Sequence, residues 1–568
     1  MAETLLSPGV LARETDQSFI EGQPIQAGAA IVGPAAKGPV GIPTLVTSFS
    51  EYQAIFGNTV VSGSQQYSYL TATSANNYFS QGGTSLLVTR VVSGSFSGAD
   101  STTIANEFTS ASFTLATLSE GGIMNSSGSE GTNNTLVNGT KDNIRWEITG
   151  VNTSTGVFSL LVRRGDDSSK QKNVLETFQN ISLDPKTTNY ISKVIGDTSY
   201  SVEQDGTDYY VKSSGTYVNK SKYIRVASVG YATPDYFDNN GVAKPEYTGS
   251  LPVAGSGSFT GATGTLFDGQ VAKWNELIDT NIQGLAQTDY TESINLLSNK
   301  DDYRFNLISA PGLDATQHAT AVNLMVTTAE TRQDCIAVID LKTYNSTVSS
   351  VTTAATAFDS SYAATYWPWL QTVDANTAQT VWVPASTMIP GVYAFTDASS
   401  DAWFAPAGLT RGALGNVTKA ERKLTSGNRD ALYTANVNPI ATFPGSGVVV
   451  FGQKTLQKRA SALDRVNVRR LLIALKSYIS QISDNLVFEQ NSIATRNSFL
   501  SQVNPYLESV QQRQGLYAFK VVMDETNNTP DVVDRNELVG QIYLQPTKTA
   551  EFILLDFNVL PTGATFPA

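Results

Sequence analysis

The chain has 568 residues and a net charge of −12, from 38 Lys and Arg against 50 Asp and Glu. Charged residues are 15% of the total, well below the roughly 25% of an ordinary globular protein. One His and one Cys exclude an intrachain disulfide and a zinc site of several Cys or His ligands, and leave only His318 for a Ser-His-Asp triad and only Cys335 with His318 for a Cys-His pair. At roughly 150 residues per domain the length predicts about three or four domains. The start, Met-Ala-Glu-Thr, has no basic and apolar leader pattern, and no run of ~18 apolar residues predicts a membrane span. Low charge with 24 Tyr, 24 Phe and 6 Trp leaves surface suited to being covered, for instance by copies of the chain.

Residues 1–26 read as an arm. Leu5-Leu6-Ser7-Pro8-Gly9-Val10-Leu11 is apolar but interrupted by Pro8 and Gly9, and Glu21-Gly22-Gln23-Pro24 reads as a link. Such a segment frays or adds to another sheet. Ala29–Gly33 predicts a buried strand and Thr44–Thr47 a second. Ser48 and Glu51 have capping-box spacing for a short helix that Gly57, placed for a left-handed residue, would close. A helix near 67–80 and a strand over Leu86–Val92 complete an α/β unit.

Composition shifts near Ser93: Ser, Thr, Gly and Asn fill 28 of positions 101–150. Alternation argues for order there, with Ile144, Trp146 and Ile148 on one strand face and Phe158, Leu160 and Val162 on the next. Residues 94–261 therefore read as a β-rich, solvent-facing insertion. The α/β pattern resumes at 262 and runs to 450. It predicts a helix over Val271–Ile282, a strand from Phe305 ending at Pro311-Gly312, a helix over 314–330 and a buried strand over Cys335–Leu341. Strands near 364–370 and 378–383 follow, giving a sheet with helices on both faces. Residues 451–568 form a last unit. Val468, Leu471, Leu472, Leu475, Ile479 and Ile482 make an amphipathic helix. A second begins near Asn491, with a kink or restart at Asn504-Pro505 and a stop at Gly515. Strands are predicted at about 516–523, 538–545 and 550–560, the last apolar on both faces and so in need of cover on both.

Several patterns resemble sites without meeting their chemistry. Gly447 to Thr455 approaches a phosphate loop, but Gln453 separates Gly452 from Lys454 and the intervening residues are apolar, which predicts a buried strand and a turn. Cys335 lies in an apolar strand and reads as an inert core thiol, and His318 as a packed or surface side chain. Asp166-Asp167 and Asp301-Asp302 lack the spaced ligands of a calcium loop and read as solvated turns. Charge is uneven: residues 411–476 hold twelve bases and three acids, so this segment carries +9 and the remainder −21. That is either a solvated helix face or a basic patch for an acidic partner. No aromatic motif interleaves the charges as single-stranded nucleic-acid binding would want.

A resemblance runs along most of the chain and is weakest in the insertion. Leu6-Ser-Pro-Gly-Val10, Ala30-Ile-Val-Gly-Pro34 and Phe56-Gly57 open it, and Glu176-Thr-Phe178 and Ser182-Leu-Asp-Pro185 carry it in the insertion. Trp367-Pro-Trp369, Pro390-Gly-Val-Tyr-Ala394, Ala405-Pro-Ala-Gly408 and Asn438-Pro439 continue it. The most specific runs close it: Asn467-Val-Arg-Arg-Leu-Leu472, Phe488-Glu489, Thr495-Arg496, Asp524-Glu-Thr-Asn-Asn-Thr529 and Asp534-Arg-Asn-Glu-Leu538. The sequence resembles the contractile tail sheath proteins of bacteriophages.

The resemblance implies a multidomain fold of mixed α+β and α/β character. An α/β core (27–93 with 262–450) would carry the outward-facing insertion and a C-terminal helix-plus-sheet domain completed by exchanged terminal strands. It implies a non-enzymatic subunit without cofactor or metal, stacked as hexameric rings around an inner tube and contracting to drive that tube through the host envelope. Partners would be other copies, the tail tube protein, and baseplate and terminator proteins, with no direct nucleic acid and no membrane insertion, in a virion assembled in the host cytoplasm. Leu5, Val10 and Leu11 would be arm contacts, Phe552, Ile553, Leu554 and Leu555 their C-terminal counterparts, and Gly22–Gly28 the hinge. Lys458, Arg459, Arg465, Arg469, Arg470 and Lys476 would face the tube. Alternatives are the sheath of a related injection device such as a tailocin, and a glycan-binding or glycan-cleaving tail protein using carboxylates of the insertion.

Overall fold

The computed structural model describes residues 25–62, 65–131, 134–265 and 283–551. The helix expected over Val271–Ile282 and the arm residues Leu5, Val10, Leu11, Phe552, Ile553, Leu554 and Leu555 lie outside them.

An eight-stranded sheet is the frame. In chain order its strands are β1 (Ala29–Gly33), β2 (Thr44–Val46), β3 (Leu86–Arg90), β4 (Leu307–Asp314), β5 (Ile336–Asp340), β6 (Ala363–Trp367), β7 (Asn438–Phe443) and β8 (Gly447–Val450). Their spatial order is β8-β7-β6-β5-β4-β1-β3-β2. The central strands run parallel, and β2 and β8 close the edges antiparallel. The continuous apolar runs follow from burial on both faces. Ile31, Leu86, Val88 and Val338 point to one face, against helices α2 (Leu70–Ser80) and α4 (Ala385–Ser399). Ala30, Val32, Leu87 and Ile339 point to the other, against α3 (Ala319–Arg332).

The short helix α1 (Phe49–Phe56) starts as expected, with Ser48 Oγ accepting from the Glu51 N–H. The Glu51 carboxylate reaches Thr47 instead of Ser48, accepting from its N–H and Oγ1. Burial pushes Glu51 up, but hydrogen bonds from Lys222 and Thr47 outweigh it and hold the carboxyl at about 2. Gly57 has φ +73° with ψ 179°, so it turns the chain outside the left-handed helical region. β4 does not stop at Pro311-Gly312. It bulges between Ser309 and Asp314, where Pro311 offers no N–H and Gly312 takes φ +104°.

Pro390 lies inside α4 and leaves the Ser386 carbonyl without its helical donor. Ser309 Oγ supplies one at 3.3 Å. Asp340, at the end of β5, accepts from the Ser386 N–H and pairs with its hydroxyl, fixing the start of α4 to the sheet. Complete burial pushes Asp340 up to about 7, against the lowering effect of the Ser386 hydrogen bonds and aided by the Asp314 charge. The folded state therefore holds a proton that the unfolded chain releases near pH 4, so this group lowers stability by about 1 kcal/mol per unit as pH rises from 4 to 7. Asp340→Asn reproduces the protonated form. Its unfolding free energy relative to the parent is expected to rise by roughly 2–3 kcal/mol between pH 5 and pH 8, read from urea midpoints; parallel pH profiles would contradict this.

The insertion is β-structured. Val174–Ser182, Val157–Arg164, Ile144–Asn152 and Gly255–Gly257 form one sheet, and Ile224–Val229, Ala111–Glu120, Gly98–Ser101 and Phe259–Thr260 lead a second. Trp146 pairs with Val162 and Ile148 with Leu160, and these side chains join Phe113 and Phe158 in a shared core. Asp167 is not a solvated turn residue. It is buried, 2.7 Å from Arg163 Nε and 3.6 Å from Arg145, because two arginines enclosed in the same sheet need a counter-charge. Buried Arg90 ties the insertion to the frame, donating to the carbonyls of Ala35, Gly38 and Glu120. A hairpin of Ser199–Asp205 with Asp208–Ser214 reaches back, with Val202 and Val211 against the core.

Candidate assembly site in the C-terminal unit

Two helices, α5 (Val466–Asp484) and α6 (Ile493–Gln512), enclose a separate apolar core with Trp403. Leu471, Leu475 and Ile482 of α5 meet Phe499, Val503, Leu507 and Val510 of α6. The second helix neither restarts nor caps at Asn504. Ser492 caps it, accepting from the Thr495 N–H, and it runs on through Pro505. The carbonyl that Pro505 leaves unpaired belongs to Ser501, on the exposed face, where water can serve it.

Against this core lies an antiparallel hairpin, Leu516–Val522 with Gln541–Pro546. Period-two alternation divides its faces. Phe519, Val521, Ile542 and Leu544 pack on the helices, while the facing pair Lys520 and Tyr543 points outward and is exposed; a register shift between Leu516 and Ala518 leaves Tyr517 exposed as well. Among the described residues these two strands pair only with each other. Both outer edges therefore present ladder N–H and C=O groups, the geometry that an added strand completes. The connection between them is braced by Asn528, which is buried. Its amide donates to the carbonyls of Asp524 and Val539 and accepts from the Val539 N–H. The run Asp524–Thr529 thus holds the mouth of the hairpin closed.

Where the hairpin's second strand leads on, Glu551 is clamped to the frame. It accepts from Arg465 Nε at 2.7 Å, Tyr433 OH at 2.5 Å and Gln453 Nε2 at 3.1 Å. Burial acts to raise its pKa, but the hydrogen bonds from Arg465, Tyr433 and Gln453 dominate and hold the carboxyl below its ordinary value. The same contact and burial push the Tyr433 phenol well up. This clamp fixes where the C-terminal segment departs. Nothing in the sequence singles out Glu551, since its partners lie 86 to 118 positions away.

The expected cationic surface over Lys458, Arg459, Arg465, Arg469, Arg470 and Lys476 is not continuous. Arg469 and Arg470 are 3% and 5% exposed. Arg469 donates to Ser361 and lies 3.9 Å over the Tyr362 ring. Arg470 Nη2 donates to both Asp397 oxygens at 2.6 Å, and its guanidinium lies 4.6 Å over Tyr393. Arg465 is taken up by Glu551 and Asp464. Lys458, Arg459 and Lys476 remain exposed. Elsewhere in the +9 segment Arg411, Lys419, Arg422, Arg429 and Lys454 each sit over an aromatic ring. The rings come from other elements, Tyr433 and Phe443 from within the segment and Phe404, Trp382 and Trp367 from before it, and the cations serve as packing groups.

The other candidates are structural. His318 is buried at the start of α3, its Nδ1 accepting from the Asp314 N–H at 3.1 Å. Cys335 is fully buried, which pushes its thiol up to about 12. Lys454 Nζ donates to the Tyr433 carbonyl, and Gly447–Val450 is a strand. Among the described residues no group of three His, Cys, Asp or Glu side chains could hold a metal, and no helix is long and apolar enough to cross a membrane.

Two family models match the chain in succession: the phage tail sheath protein central domain over residues 283–456 and the phage tail sheath C-terminal domain over residues 459–559. Residues 283–456 and 459–559 are thus successive domains of the phage tail sheath family. The tail sheath protein of Vibrio phage KVP40 is 45% identical over 185 residues, covering 33% of this chain and 28% of that one. The tail sheath protein of Enterobacteria phage T4 is 34% identical over 275 residues, covering 45% and 42%. The match thus spans less than half the length of either relative. The sheath tail protein of Listeria innocua, a crystal structure, is 11% identical with a TM-score of 0.51 over 92% of this chain and 95% of that one, which shows a shared fold. The sheath fold here is mixed α/β in several parts.

Proposed function

We propose that this protein is the structural subunit of a contractile phage tail sheath, stacking as hexameric rings around the tail tube and contracting to drive the tube through the host envelope. The observation that carries the reading is the two-edged hairpin beside the Glu551 clamp, in a domain of the tail sheath family. Strands from neighbouring copies would complete that sheet: the N-terminal arm through Leu5, Val10 and Leu11, and the C-terminal segment through Phe552, Ile553, Leu554 and Leu555. Main-chain pairing of this kind keeps subunits joined while they rotate as bodies. Within the proposed hinge Gly22–Gly28, Ile25–Ala27 pairs in parallel with Tyr303–Phe305 and Gly28 is bonded to Ser85, so this part is tied to the frame; Gly22 to Pro24 lie outside the described residues. Of the basic residues, Lys458, Arg459 and Lys476 are the ones available to the tube. The insertion would face outward, and baseplate and terminator proteins would hold the ends, in a virion assembled in the host cytoplasm.

Contraction in this scheme draws on energy stored at assembly, with the extended sheath kinetically trapped above a state of better contacts. Calorimetry on extended particles in nucleotide-free buffer is expected to show heat release as they contract. An endothermic contraction that needs nucleotide would sink the reading.

A further inference from the structure

The turn between α5 and α6 carries an apolar knob with no role inside the subunit. Phe488 is fully exposed, and Val487 and Ile493 beside it are each 61% exposed. The backbone is strained to present it: Phe488 has φ +70°, a region costly for a bulky residue. The turn is ordered by bonds from the Val487 and Glu489 N–H groups to Asp484 and Leu486. The Glu489 carboxylate makes no ion pair among the described residues. An exposed aromatic held in an unfavourable backbone state, with an unspent charge beside it, is the pattern of a docking element rather than a core residue.

A complementary feature lies elsewhere on the same chain. Between the start of α3 and the helix Val348–Ala355 is a cavity of about 550 Å³. Ala315, Ala319, Ala354, Ala357 and Phe358 line it together with short Ser, Thr and Asn side chains, and Lys342 stands in its wall. No Asp or Glu lines it. The Lys342 ammonium makes no hydrogen bond or ion pair among the described residues, its carbonyl alone being used, by Trp369. Small alanines leave room for a ring, and the cation faces no internal partner. The knob thus offers an aromatic with an adjacent anion, and the cavity a small-residue cup with an adjacent cation.

We propose that Phe488 of one subunit seats in the alanine-lined cavity of a second copy, with Glu489 meeting Lys342. Such a contact joins two different surfaces, so it is head-to-tail and propagates into an open helix instead of closing as a dimer. It deepens the sheath reading, on which it rests, by naming a lateral contact distinct from strand exchange.

Cysteine cross-linking tests it directly, because the single native thiol is buried. The double variant Phe488→Cys with Ala319→Cys, assembled and treated with a mild oxidant, is expected to give a ladder of dimers, trimers and larger species on a non-reducing gel. Each single variant should give no ladder. Phe488→Ala, whose side chain supports nothing in the fold, is expected to keep the parent melting profile and to raise the concentration needed for assembly by more than about tenfold. Glu489→Lys should do the same, and Lys342→Glu added to it should restore assembly. Unchanged assembly by Phe488→Ala would overturn the proposal, as would impaired assembly without a 488–319 cross-link, which would place the knob on another partner such as the inner tube. If the parent chain forms no ordered multimers at all, the sheath reading fails instead; a ladder from the double variant at high concentration would still support the contact.

Discussion

Replacing Arg470 by Ala is expected to lower the unfolding free energy of the subunit by about 3 kcal/mol. The side chain is buried where α5 crosses the frame, bonded to Asp397 of α4 and stacked on Tyr393. Removing it deletes the ion pair, the cation–π contact and the packing of a large side chain together. Asp397 keeps about two-fifths of its side-chain exposure, so water limits the penalty of leaving it unpaired. Lys458→Ala is the matched control. That ammonium is exposed and donates only to the Thr356 carbonyl, so its loss should change stability by no more than about 0.5 kcal/mol. Chemical denaturation of both variants checks the pair. Equal, small effects would mean that Arg470 is a surface cation after all.

A chain ending at Glu551 is expected to fold and to lose assembly. The clamp on Glu551 and both hairpin strands are retained, so the C-terminal core stays closed and the melting profile should match the parent. What is removed is the segment proposed to pair with neighbouring hairpins, so the concentration needed for ordered multimers should rise by about a hundredfold or more. Leu5→Asp with Leu11→Asp in the full chain should act in the same direction. Sedimentation of the three proteins measures it. Assembly of the shortened chain at the parent's concentration would remove strand exchange from the account.

Much of the frame was legible in the sequence because its signals are local. Buried strands such as Ala29–Gly33 announce themselves as apolar runs, and the Ser48 cap and the α5 stripe follow short spacings. The readings that failed depended on distant partners. Pro311-Gly312 read as a strand end and Asn504-Pro505 as a kink or restart, but a bulge carries the strand on and the helix runs through Pro505 with its freed carbonyl on the exposed face. Asp167 read as solvated until Arg145 and Arg163 were seen to converge on it. The basic segment read as a surface because its rings, Tyr362, Tyr393 and Trp382 among them, lie far from it in sequence. The assembly surface was the least legible part. An open sheet edge and a cavity exist only once strands and helices are in place, and neither Glu551 nor Lys342 carries a motif.

Imaging of the purified full-length chain by negative-stain electron microscopy tests the central claim most directly. Hollow, striated tubes or stacked rings, formed without nucleotide, are the expected result. A monodisperse monomer at every concentration, above all one that degrades glycans, would contradict it.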